Sequence, residues 1–140
     1  LRQQQPHFTE FTRGILKTYY IDSYYGRKLK MEPTTGSPSN LVFSAGDRKL
    51  ADMVKDVSKG ILVTNFIGGN SNGTTGDFSF GVVGFYIEKG EVRQPVNEMN
   101  ISGNLKDLWK DLAALGNDPF PYGSWQIPTL QFRNVQFSGL

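Results

Sequence analysis

Two long runs of strand-forming residues, Phe78 to Glu88 and Glu91 to Ile101, are separated by only Lys89-Gly90. A two-residue connection between such runs specifies an antiparallel hairpin, because glycine takes the positive φ that these turns demand. Ile87 and Val92 then face each other across the turn. Upstream, Gly60 to Ile67 (Gly-Ile-Leu-Val-Thr-Asn-Phe-Ile) reads as a buried strand, and Ser39 to Ser44 as a short one. Pro95 cannot donate to a ladder, which predicts an edge or a bulge there. A last strand is expected over Thr129 to Phe137, with a bulge near Asn134 because Leu130, Phe132 and Val135 alternate imperfectly. An earlier hairpin is expected within 8–31, where Gly14 to Ile21 is rich in strand formers.

Two segments carry helical spacing instead. Leu50, Met53, Val54 and Val57 fall on one helix face, with Asp47 placed to cap it, Lys55 and Lys59 near its negative end and Gly60 as its stop. Leu105, Leu108, Trp109, Leu112 and Ala113 repeat the stripe, with Asn104 as N-cap, Asp107 three residues on and Gly116 as the end. Both stripes are read as core-packing faces. Strands therefore precede, separate and follow two amphipathic helices with no regular βαβ alternation. The expected class is α+β with a largely antiparallel sheet.

At 140 residues the chain suits one domain, 1–140, with residues 1–7 as a leader or linker. The opening Leu1 to Pro6 has no apolar segment of a secretory signal, and the missing initiator Met suggests a processed chain or a fragment. No apolar run approaches the roughly 20 residues that a membrane-spanning helix needs. With no cysteine and a single histidine, His7, the chain has no thiolate nucleophile, no disulfide and no Cys-based metal site. One histidine also leaves a Ser-His-Asp triad or a three-ligand catalytic zinc without its residues. We expect no catalytic and no metal-ligating residue in this chain. Net charge is +2, with residues 1–60 holding 10 Lys/Arg against 6 Asp/Glu and residues 61–140 holding 5 against 7. That asymmetry is too mild for a polyanion binder.

The polar glycine loop Gly68 to Asp77, between two apolar strands, is the most unusual stretch. Gly68 to Thr75 nearly fits a phosphate-binding loop, but Thr74 stands where lysine is needed and a strand follows in place of a helix. A calcium loop fails because Asp77 is its only carboxylate. Two readings remain, a plain glycine-rich connection and the lining of a peptide-binding groove. Ser79, Gly81 and Gly84 let another backbone approach closely, from a neighbouring strand, a bound extended peptide or a second subunit. Ser79 is no nucleophile elbow, since the leading glycine is missing. The candidate peptide-binding set is Gly68, Gly69, Asn70, Thr75, Gly76, Asp77, Phe78, Ser79 and Gly81, with backbone pairing near Phe78 to Gly84. Tyr19, Tyr20, Tyr24 and Tyr25 interleave with Lys17, Arg27, Lys28 and Lys30 and could stack on bases, but a half-buried hairpin with a solvated basic edge is the preferred reading.

Several short strings follow one another in an order that resembles the TldD/PmbA family, peptidase-related proteins also called modulators of DNA gyrase. They are Gly14-Ile15-Leu16-Lys17, Asp22 to Leu29, Pro38-Ser39-Asn40-Leu41, Gly60 to Thr64, Gly68-Gly69, Thr75 to Ser79, Ile101 to Leu105, Gly116-Asn117-Asp118 and Pro128-Thr129-Leu130. The resemblance runs from about Phe8 onward. It implies the C-terminal part of a longer protein and a cytoplasmic dimer enclosing a chamber, formed by like subunits or by a TldD-type with a TldE (PmbA)-type subunit. In the TldD type an H-E-x-x-x-H helix, which would lie upstream of Leu1, and a cysteine near the C-terminus hold zinc. Unfolded peptide is bound there as an added strand and hydrolysed. That cysteine would fall between Gly116-Asn117-Asp118 and Pro128-Thr129-Leu130. Here the interval, Pro119 to Ile127, has no thiol and is short, as in the PmbA/TldE type. Ser124 is a poor substitute because its hydroxyl stays neutral. The resemblance therefore implies a non-catalytic subunit without zinc, whose metal would sit in a TldD-type partner and whose ligand is unfolded peptide. Neither a membrane nor nucleic acid is expected as a partner. The rival readings are a self-sufficient zinc metallopeptidase with its ligands upstream and a gyrase-modulating regulator.

Overall fold

A computed structural model describes the backbone of residues 11–12 and 15–139, and the side chains of 15–139. The proposed leader 1–7, with His7, lies outside the described residues. The fold is α+β, and it divides into two compact units, residues 1–41 and 42–140.

In the first unit, strands β1 (Phe11–Thr12) and β2 (Ile15–Leu16) form the expected early hairpin, with Thr12 opposite Ile15. It is far shorter than the reading of 8–31 implied, because Ser23–Leu29 is a helix, α1. Tyr24 and Tyr25 favour strands as residues, but local capping outweighs them. The Asp22 carboxylate accepts from the Tyr25 N–H at 2.7 Å, and Lys30 closes the helix in the left-handed conformation at φ 55°. Ile21 is buried and tied to Thr34 by two hydrogen bonds, its N–H donating to Oγ1 at 3.0 Å and its carbonyl accepting at 2.9 Å. The described residues thus hold three helices where sequence spacing predicts two.

The short strand β3 (Leu41–Val42) stands at the division between the units, and α2 (Leu50–Lys55) follows in the second. Met53 buries the α2 stripe as expected. Its ends differ from the reading: Lys49 and not Asp47 is the N-cap, and the helix stops at Asp56, because Gly60 is already paired with Ile87 in a sheet.

That sheet holds β4 (Lys59–Ser71), β5 (Asp77–Glu88), β6 (Glu91–Asn104) and the short β10 (Phe137–Ser138), all antiparallel, in the order β10-β6-β5-β4. The Lys89-Gly90 turn is as expected. Both residues have positive φ, 51° and 77°, and Ile87 faces Val92. A Cβ on Gly90 would also lie 2.7 Å from the Lys55 carbonyl oxygen. Pro95 pairs with Phe85 next to a register shift, and β10 reaches only Asn100 and Ile101 of β6. The missing Pro95 donor therefore falls beside a bulge, on a stretch of edge that is open among the described residues.

One sheet face carries the core, in which Phe78, Val82, Val96, Met99 and Ile101 are buried. Phe78 and Val82 share one face of β5 with Phe80 between them, and Phe80, with Ile61 and Val63 of β4, packs against the cluster. Leu108 of α3 (Leu105–Lys110) lies on it too. Asn104 caps α3 as the sequence indicated, its Oδ1 accepting from the Lys106 N–H at 3.0 Å. The helix ends at Asp111, well short of Gly116. Leu112 and Ala113 leave the stripe for strand β7 (Leu112–Leu115), which pairs with β9 (Leu130–Phe132). The expected strand 129–137 is consequently two strands. Asn134, at φ 56°, breaks it, so that β9 pairs with β7 and β10 with β6. Between β7 and β9 in sequence lies β8 (Trp125–Gln126).

Candidate functional site

The hairpin β4–β5 organises the candidate site. Gly68 (φ 70°) is the extra residue of a bulge in β4, since Ile67 faces Gly81 and Gly69 (φ 109°) faces Phe80. Asn70 then pairs with Ser79, and Ser71 with Phe78. The loop closes on itself: the Asn72 N–H donates to the Asp77 carbonyl and the Gly76 N–H to the Asn72 carbonyl, each at 2.8 Å. The Asn72 carboxamide oxygen takes the N–H groups of Thr74 and Thr75 at 2.9 and 3.2 Å. Side chain and backbone together replace the strand ladder through the turn.

Asp77 anchors this loop to the next strand. Its carboxylate accepts from the Thr75 hydroxyl at 2.7 Å and from the Asn104 amide at 2.9 Å. Asn104 also donates to the Thr75 carbonyl at 3.0 Å. One asparagine thus caps α3 and ties down the glycine loop. These donations, the Thr75 hydroxyl first and Asn104 second, with Lys106 assisting, hold the Asp77 carboxyl below its ordinary 3.8. It is an ionised acceptor already engaged on both oxygens.

A cleft of about 270 Å³ opens here, lined by Asn70, Ser71, Asn72, Asp77, Phe78 and Ser79. It gathers Asn70, Asp77, Phe78 and Ser79 of the expected set and adds Ser71 and Asn72, which the sequence set had omitted. Thr75 and Gly76 (φ 87°) shape the loop beside it. The Ser79 hydroxyl accepts from the Asn100 amide at 2.9 Å. Phe78 belongs to the core as well as to the cleft wall.

The small residues of β5 serve a neighbouring strand. A Cβ on Gly81 would overlap the Ile67 carbonyl oxygen, and one on Gly84 the Leu62 carbonyl oxygen. Along its length β5 is paired with β4 on one side and β6 on the other. Phe78 to Gly84 therefore offer no free backbone to a peptide. Among the described residues the far side of β4, terminal in its sheet, is open, as is the part of β6 that β10 does not reach.

The interval from Pro119 to Ile127, which carries β8, is tied at its base. Both Asp118 carboxylate oxygens accept from Thr129, Oδ1 from the N–H at 2.9 Å and Oδ2 from the hydroxyl at 2.7 Å. Partial burial pushes the Asp118 carboxyl up, but the two Thr129 donations outweigh it and hold it below 3.8. The Gln126 amide donates to the Pro121 carbonyl at 3.3 Å, and the Phe120 and Tyr122 rings meet edge to face at 5.7 Å. Asp118 is already engaged and Ser124 is neutral, so the donors of this loop do not fit the third ligand of a catalytic zinc. Among the described residues no group of three or more His, Cys, Asp or Glu could hold a metal ion.

The tyrosine-rich segment belongs to the first unit. Tyr24 and Tyr25 meet edge to face at 5.2 Å, the Lys28 ammonium lies 5.8 Å from the Tyr24 ring centre, and Tyr19, Tyr20, Ile21, Tyr25, Leu29 and Met31 line a groove of about 490 Å³. Among the described residues no helix is long and apolar enough to cross a membrane.

Comparison with known proteins gives this arrangement a family. Residues 5–139 match the PmbA/TldA metallopeptidase C-terminal domain. The Metalloprotease PmbA homolog of Buchnera aphidicola subsp. Baizongia pistaciae is 37% identical over 131 residues, 91% of this chain and 29% of the relative. The Zinc metalloprotease TldD homolog of Saccharolobus solfataricus is 28% identical over 118 residues, 75% of this chain and 26% of the relative. The crystal structure of a candidate modulator of DNA gyrase from Bacteroides thetaiotaomicron is 52% identical, with a TM-score of 0.82 over 93% of this chain and 30% of that one. The chain spans less than a third of the length of each. It belongs to the PmbA/TldD family, and it corresponds to the family's C-terminal domain.

Proposed function

We propose that this chain is the C-terminal domain of a PmbA/TldE-type subunit, which binds extended peptide for proteolysis and supplies no catalytic group itself. The subunit forms a cytoplasmic dimer with a like subunit or with a TldD-type one, and the two enclose the chamber in which unfolded peptide is held. Any zinc belongs to the TldD-type partner. The peptide adds as a strand to the outer edge of β4, with the loop Gly68 to Gly76 and the Asn70–Ser79 cleft receiving one of its ends.

The observation that carries this reading is the β4 edge. It is thirteen residues long and, among the described residues, terminal in its sheet, and it ends at a cleft of amides and hydroxyls. Unpaired N–H and C=O groups along a sheet edge are a template for one more strand. The non-catalytic part rests on a different observation. The loop Pro119 to Ile127 offers no anionic donor, and the one carboxylate at its base is held by Thr129.

Metal analysis and peptidase assays of the intact protein test this. Alone, it is expected to hold well under one zinc per chain and to leave unfolded peptide uncut, and adding it is expected to raise cleavage by a TldD-type partner. About one tightly bound zinc per chain, with cleavage by the isolated protein, would favour the self-sufficient metallopeptidase instead.

A further inference from the structure

Edge strands normally carry charges or proline that discourage pairing. From Gly60 to Ser71, β4 has neither, and only Lys59 at its start is charged. Register shifts fall between Val63 and Asn65 and between Ile67 and Gly69, so Asn65-Phe66-Ile67 is a regular stretch between two bulges. Phe66 and Ile67 are 56% and 47% exposed. As neighbours in a strand they project to opposite sheet faces.

Each is half of an apolar contact that stops at the edge. The Phe66 ring meets Phe80 edge to face at 5.7 Å, and Phe80 stacks on Phe78 at 6.1 Å. This aromatic row crosses the core face and ends, open, at Phe66. On the other face Ile67 leans over Gly81, where a Cβ would lie 3.1 Å from Ile67 Cγ1, and nearly half of Ile67 stays exposed. The backbone is arranged to match. The Ile67 carbonyl turns inward onto Gly81, and the Phe66 N–H is held by its neighbour, the Asn65 carboxamide, at 2.9 Å. Asn65 thus occupies the donor that an incoming strand would use.

We infer that Phe66 and Ile67 set the sequence preference of the bound peptide: an aromatic or large apolar residue lies beside Phe66, and an aliphatic one, next to it in the peptide, beside Ile67. This rests on the peptide-binding reading above. An uncharged edge with apolar side chains on both faces fits a neutral hydrophobic pair, the kind of segment that folded proteins bury and unfolded ones expose. Asn65 acts as a placeholder that the peptide carbonyl displaces from the Phe66 N–H.

Fluorescence anisotropy with the intact protein tests this, using two unstructured labelled peptides of equal length, one centred on Phe-Val and one on Ser-Asn. The Phe-Val peptide is expected to bind about tenfold tighter or more. The Phe66→Ser/Ile67→Ser variant is expected to lose that preference while still binding the Ser-Asn peptide, and Phe66→Leu is expected to keep it. Asn65→Ala is expected to tighten both peptides by a few fold, of the order that one competing hydrogen bond allows. Equal binding of the two peptides by the wild type overturns the preference and leaves the peptide reading intact. A preference that survives the double substitution places the determinants elsewhere and also overturns the inference. If neither peptide binds, the peptide reading itself fails. Concentration-dependent self-association that peptide does not displace would assign the edge to a second copy and overturn the inference.

Discussion

Gly84→Val is expected to cost about 3 kcal/mol of stability or more, the upper range for overfilling a packed site. Gly84 is buried, and the three nearest atoms that a Cβ would meet are all backbone. It would overlap the Leu62 carbonyl oxygen and lie 2.9 Å from the Leu62 carbonyl carbon and 3.0 Å from the Val63 Cα. These nearest atoms cannot turn aside as a side chain could, so relief requires β4 and β5 to separate where β4 is already bulged. Gly73→Ala provides the contrast. Nothing lies within 4 Å of its Cβ position and its φ is not positive, so the change should stay within about 0.5 kcal/mol. Urea unfolding of both variants measures this. Similar midpoints would refute the close approach of the two strands.

Phe78→Ala is expected to destabilise by about 3–5 kcal/mol, as for other buried phenylalanines. The ring is 7% exposed, sits in the core cluster and stacks on Phe80. Its loss would leave a cavity beneath the candidate cleft, and its partners span β5 and β6, which cannot collapse inward without breaking their ladder. A loss below about 1 kcal/mol in urea unfolding would mean that Phe78 is a surface contact and not a core residue.

The sequence made the central hairpin legible because its signals are local. Lys89-Gly90 sets the turn, and the turn sets Ile87 opposite Val92. The Asn104 cap was legible for the same reason. Other features depend on partners distant in sequence. Leu112 continues the helical spacing of α3, yet it enters β7 because β9, some twenty residues on, pairs with it. Tyr24 and Tyr25 read as strand residues, and only the Asp22 cap and the left-handed Lys30 turn them into a helix.

The site shows the same division. A glycine-rich loop with Asn70, Asp77 and Ser79 was visible as an unusual polar stretch, and these residues do line one cleft. That Asp77 is engaged by Thr75 and Asn104 was not visible, because Asn104 arrives from the end of the following strand. Nor was the free edge. Gly81 and Gly84 flagged a close backbone approach, but only the strand order assigns that backbone to β4 and leaves the outer side of β4 open.

Amide hydrogen exchange of the intact protein, with and without an unfolded peptide rich in neutral apolar residues, tests the strand-addition account most directly, since exchange reads backbone pairing residue by residue. Slower exchange is predicted along β4, centred on Phe66, with β5 unchanged because it is already paired on both sides. Peptide that binds while β4 exchanges at its free rate would contradict it.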